Sequence, residues 1–173
     1  MWINLFLIIL LTTCVITDWR ERKIYNKVLF PFLVIALAYH IITGGWIGLA
    51  DTLTGTVVGF SILLIPYFMG GMGAGDVKLL AVIGALKGTG FVLMTALYMG
   101  IIGGIIGILV LLFRSGAKAR LLHFAFMFIG VKHGVKFPFT MDKEALKTTY
   151  PYGIAIAAGA IIAISVTPGG FFS

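Results

Sequence analysis

Residues 77–113 read VKLLAVIGALKGTGFVLMTALYMGIIGGIIGILVLLF, an apolar run broken only by Lys78 and Lys87. As a single helix rising about 1.5 Å per residue it would be roughly 55 Å long, well beyond the about 30 Å of a bilayer's hydrocarbon core. It must therefore be divided, and Lys87-Gly88-Thr89-Gly90 supplies the break. The division predicts a short helix, Val77 to Leu86, and a long one, Phe91 to Phe113. The short helix is marginal for a crossing, so it is expected to begin inside the preceding glycine segment or to sit where the bilayer is locally thin.

Working outward, the same pattern predicts helices at Trp2 to Thr17, Lys27 to Thr43, Trp46 to Met69 and Tyr150 to Val166, bounded by charges or glycines. Gly153, Ala155, Ala157, Ala158, Gly159 and Ala160 equip the last of these for close helix packing. The composition agrees. Hydrophobic residues make up 60% of the 173-residue chain and charged residues 11%, with a mean hydropathy of +1.10, whereas soluble domains carry roughly 25% charged residues. The expectation is an all-α integral membrane protein of about six transmembrane helices, residues 1–173 forming one membrane-embedded domain without a separate soluble domain. Trp2 to Thr17 has neither a basic leading region nor a small-residue cleavage site before Asp18, so it reads as a mature first helix. The single cysteine, Cys14, lies in that apolar run and allows neither an intrachain disulfide nor a CxxC site.

The net charge of +7 does not point to nucleic acid, because the basic residues are scattered between apolar spans with no dense basic face. Topology explains them better. Of 13 basic residues, all but Lys87 fall in alternate connections of the six-span arrangement, and Lys and Arg accumulate on the cytoplasmic side. Both termini are then expected outside, with multi-pass insertion in the cell's inner membrane and the basic loops against anionic lipid. Leu121 to Phe139 is too short in its apolar part to cross and is punctuated by His123, Lys132, His133 and Lys136; an interfacial segment on the cytoplasmic face, between the fifth and sixth helices, is expected.

Carboxylates are scarce, and one at a membrane's edge is costly unless solvated or used. Asp51 reads as a structural cap at the start of the third helix, and Asp142 and Glu144 as solvated surface beside Lys143 and Lys147. Asp18 and Asp76 differ: each borders an apolar span, and the two intervening helices return the chain to the same, cytoplasmic, face. Asp76 also ends Gly70-Gly71-Met72-Gly73-Ala74-Gly75, whose glycines clear space for another backbone to approach.

Two carboxyls on one face suit peptide hydrolysis, because neighbouring acids share a proton and divide the roles of base and acid toward water. No rival nucleophile competes: Cys14 is mid-helix, and Ser61 and the histidines have no triad context. His40, His123 and His133 lack the spacing of a zinc site, so neither metal nor cofactor is expected. The alternative from another class is a small transporter or proton relay using the same acids, which would call for paired halves that the sequence does not display.

These residues resemble the type IV prepilin peptidases, membrane aspartyl proteases whose second aspartate ends a GxGD motif, here Gly73-Ala74-Gly75-Asp76. Asp18-Trp19-Arg20, followed by Ile24-Tyr25-Asn26, is similar to the family's D-x-R-x-x-x-I-P-N motif, with Tyr25 where proline is usual. Val77-Lys78-Leu79-Leu80 fits the continuation after the second aspartate, and Pro151-Tyr152-Gly153 the P-[FY]-G of the last helix. The resemblance implies catalytic Asp18 and Asp76, with Gly73, Gly75, Lys78, Arg20, Asn26, Pro151 and Gly153 in support. It further implies cleavage of a short basic leader from prepilins or pseudopilins at the cytoplasmic face. Lacking the CxxC-bearing insertion, the chain resembles the short TadV/CpaA-like form that serves Flp-type pili, with no N-methyltransferase activity expected.

Overall fold

A computed structural model describes residues 2–68, 71–113 and 152–166. Four helices make up these residues: α1 (Trp2–Glu21), α2 (Asn26–Phe68), α3 (Ala74–Phe113) and α4 (Tyr152–Val166). The first three are long and apolar enough to cross a membrane, and α4 is a shorter apolar helix. With apolar side chains exposed all round, among them Leu5, Ile8, Val57 and Leu97, the outer surface is one that lipid covers and water would not.

Neither α2 nor α3 is one straight rod. At Gly45 the backbone takes φ 57°, ψ −136°, and at Gly88 φ 79°, ψ 177°, conformations closed to side chains with a Cβ. Each helix is thus two limbs, 26–44 with 46–68 and 74–87 with 89–113. At Gly45 the chain reverses: a Cβ on Gly48 would strike the carbonyl of His40, a residue that in a continuous helix would lie roughly 12 Å away. Near the break at Gly88 the carbonyl of Leu86 takes a hydrogen bond from His40 Nε2 at 3.1 Å, which supplies a donor where the helical ladder is interrupted.

The limb 74–87 is the centre of the molecule. Val77, Leu79, Leu80, Val82, Ile83, Ala85 and Leu86 point in every direction around its axis, and all are buried. Limb 46–68 crosses it antiparallel, with Gly55 against the backbone of Gly84 and Gly59 against that of Leu80. In lipid, packing of this kind, more than water exclusion, holds helices together. α1 adds a single buried stripe, Leu7, Leu10, Leu11, Cys14 and Asp18, at helical spacing. α4 completes the bundle where Gly159 lies on the backbone of Thr95 and Met99.

The bundle therefore has two ends. At one, Lys87 Nζ donates to Asn4 Oδ1 at 2.9 Å and lies 5.2 Å from the centre of the Phe91 ring. At the other, Lys78 Nζ donates to Asn26 Oδ1 at 3.0 Å. The short helix starts at Ala74, inside the glycine segment, as its length leads one to expect. Two other expectations change in detail. α1 continues to Glu21, so Asp18 belongs to its last turn. Asp51 is not a cap in a connection: it lies within limb 46–68, its carboxylate beside Gly88. Leu121 to Phe139, Asp142 and Glu144 fall outside the described residues.

Candidate active site

Asp18 is brought inward by the stripe it terminates, three and four residues apart from Leu7 to Cys14, and is 6% exposed. One carboxyl oxygen, Oδ2, accepts the Gly153 N–H at 3.0 Å. Gly153 is the second residue of α4, so this amide is one of the donors that a helix start leaves unpaired. No other residue fits: a Cβ at position 153 would stand 2.6 Å from that same oxygen.

Asp76, 7% exposed, occupies the first turn of α3. Its Oδ2 reaches back to the Gly73 N–H at 3.1 Å, while its own amide donates to the Gly73 carbonyl at 3.1 Å. The carboxylate thus does what the third residue of a capping box does, at a helix end whose dipole favours negative charge. The two aspartates are held alike, Asp18 from the last turn of α1 and Asp76 in the first turn of α3, each with one carboxyl oxygen bonded by a glycine amide at the start of a helix. Among the described residues the second oxygen of each accepts no hydrogen bond.

Both carboxyls line one cavity of about 310 Å³, together with Arg22, Lys23, Ile24, Tyr25, Asn26 and Gly73 to Gly75. The segments carrying them are tied together twice. Lys78, two residues on from Asp76, bonds Asn26 as α2 begins, and Ile24 lies on Gly75, where a Cβ would come within 2.8 Å of the Ile24 Cβ. Asn26, Gly73, Gly75, Lys78 and Gly153 therefore all touch the aspartates or the segments that hold them.

Arg20 does not join them. It lines a separate shallow groove with Val15, Ile16 and Trp19, because two residues along a helix turn a side chain to the far side. Arg22, four residues on from Asp18, faces the cavity instead, a position that helical spacing alone could have singled out. Arg22 leaves α1 in the left-handed region, φ 51°, with its amide still bonded to the Asp18 carbonyl at 2.9 Å, the usual way to close a helix. At the rim, Tyr25 Oη donates to Glu21 Oε2, and this bond to a carboxylate holds the phenol above its ordinary range of titration. Pro151 lies outside the described residues.

Comparison with known proteins adds what geometry alone does not name. The type IV leader peptidase family matches residues 5–108, which include both aspartates. The chain belongs to the type IV leader peptidase family. Like other proteins it resembles, this family member is similar to the prepilin leader peptidase/N-methyltransferases of Pseudomonas putida (29% identical), Aeromonas salmonicida (28%) and Aeromonas hydrophila (27%). Each alignment spans 114 residues, 62% of this chain and 39% of the relative, so the chain spans well under half the length of these curated relatives. No solved structure matches it significantly. The family match stops short of Gly153, whose contact with Asp18 rests on the structure alone.

Proposed function

We propose that this leader-peptidase family member is a membrane aspartyl endopeptidase that removes the short leader from prepilins or pseudopilins, Flp/Tad-type or similar, at the cytoplasmic face. The observation that carries the reading is the convergence of Asp18 and Asp76 on one cavity, each with a carboxyl oxygen left free of protein partners among the described residues. A water between the free oxygens loses a proton to one carboxylate as it attacks the scissile carbonyl. The other carboxyl, protonated, gives its proton to the carbonyl oxygen, and collapse of the tetrahedral intermediate expels the amine with a proton returned from the pair. The glycine amides keep each carboxyl oriented without occupying the oxygen that reacts.

In this reading the chain makes about six crossings with both termini outside, and a substrate helix standing in the bilayer brings its leader junction to the level of the acids. With one cysteine, residues 1–173 offer no paired CxxC motifs, and peptidase activity without N-methylation is proposed. The test is cleavage of a purified prepilin by the chain in lipid. Asp18→Asn and Asp76→Asn keep an oxygen for the Gly153 and Gly73 amides, so both variants should stay folded yet lose at least about a thousandfold in rate. Asp51→Asn, at the far end, should cut normally. Normal processing by either dyad variant would refute the reading.

A further inference from the structure

The turn joining α1 to α2 consists of residues 22–25, and all four line the cavity. It lines the cavity beside Gly73 to Gly75, yet it is held differently from the acids. Asp18 and Asp76 take their orientation from the amides of Gly153 and Gly73; among the described residues the turn is held by Ile24, packed on Gly75 and the core, and by its two ends. At its start, Arg22 is already in the left-handed conformation. At its finish, the Tyr25 carbonyl accepts the amides of Val28 at 3.0 Å and Leu29 at 3.3 Å, which makes Tyr25 the N-cap of α2. A tyrosine cannot cap with its side chain as serine or aspartate does. Its hydroxyl goes elsewhere, across the turn to the carboxylate of Glu21, the last residue of α1.

We infer that the Glu21–Tyr25 hydrogen bond is a latch that closes the 22–25 turn and holds it as the substrate-binding wall of the cavity. Glu21 and Tyr25 are then positioning residues for capture of the extended leader segment, without a part in the hydrolytic step. The inference rests on the peptidase reading above. The latch touches neither aspartate nor the glycines that orient them, so loosening it disorders the wall and leaves the acid pair in place. Ordering a binding segment before substrate arrives strengthens binding by removing that cost from the encounter. A proline at position 25 would order the same turn by fixing φ. A proline there would cost no hydrogen bond among the described residues, since the Tyr25 amide donates none.

The full chain, reconstituted in lipid, is assayed on a synthetic prepilin with a basic leader and an apolar helix. Tyr25→Phe and Glu21→Met should each raise KM about fivefold with kcat kept within about twofold, and Tyr25→Pro should bring KM back to within about twofold of wild type. Limited trypsin digestion of the same samples reports the turn without any peptidase activity: cutting after Arg22 and Lys23, both exposed, should quicken about fivefold in Tyr25→Phe and Glu21→Met and be slow again in Tyr25→Pro. A fall in kcat, or a loss in Tyr25→Phe that Glu21→Met does not share and Tyr25→Pro does not repair, would overturn the latch and assign the hydroxyl a contact with substrate. If the wild-type chain cuts no prepilin, the peptidase reading fails by itself, and equal trypsin rates in wild type and Tyr25→Phe would then dispose of the latch separately.

Discussion

At the scale of single residues, the site depends on what glycine omits. The Gly153 amide can bond Asp18 only because nothing projects from position 153; a methyl group there would stand 2.6 Å from the carboxyl oxygen, well inside contact distance. Either the carboxyl swings away or α4 backs off, and both change the direction of the oxygen that must meet water. Gly153→Ala is accordingly expected to lower kcat by about 10- to 100-fold, because small misplacements of a reacting group cost that much, with KM little changed. Steady-state kinetics on a prepilin would check this, and an unchanged kcat would mean that the Gly153 contact does not set Asp18. Gly73 is less demanding, since a Cβ there would be 3.3 Å from the Asp76 oxygen, a crowded but tolerable approach. Lys78 acts at one remove: its ammonium ties the start of α3 to Asn26 and so keeps the wall of the cavity beside the acid it flanks.

At the scale of elements, limb 74–87 matters most, because its side chains are buried on every side. Its crossing with limb 46–68 brings the backbones of Gly55 and Gly84 into contact. Gly84→Val should therefore force the limbs apart and destabilise the fold by about 1–3 kcal/mol, measurable by denaturation in lipid or detergent, whereas Gly103→Val, with nothing within 4 Å of its would-be Cβ, should be neutral. Equal stability of the two variants would contradict the packing described. These breaks and crossings were unevenly legible from sequence. Lys87-Gly88-Thr89-Gly90 announced its break because helix length and bilayer thickness conflict, and the step between Thr43 and Trp46 announced the other through its glycines. That α3 begins inside the glycine segment was legible because Val77 to Leu86 alone is too short to cross, whereas its first residue, Ala74, shows only in the capping of that turn by Asp76. Arg20 was misleading for a related reason: a motif gives order along the chain, while the face of a helix decides which member meets the cavity, and that member is Arg22. Tyr25, the departure from the motif's proline, carried no readable role until its hydroxyl was seen against Glu21.

At the scale of the whole molecule, exposed tryptophans mark both ends of the bundle. Trp2 and Trp46 lie at the Lys87 end, and Trp19 lies beside Asp18 at the other, each more than 70% exposed. Tryptophan favours the membrane–water interface, and α1 rises roughly 25 Å from Trp2 to Trp19, close to a bilayer's apolar thickness. The proposed function then has the acids at an interface, in reach of water and of an extended leader. If the basic turn at 22–25 faces the cytoplasm, a cysteine placed at Lys23 in a Cys14→Ser chain should react with an impermeant maleimide only from the cytoplasmic side, and one placed at Trp46 only from outside. Labelling of both from one side would contradict the arrangement. The account as a whole stands on the two aspartates acting as a unit, and a double-mutant cycle on prepilin cleavage tests that most directly. If Asp18 and Asp76 share one proton and one water, the Asp18→Asn/Asp76→Asn chain should be no slower than either single variant. Losses that simply multiply, or a single variant that still cuts at the wild-type rate, would contradict it.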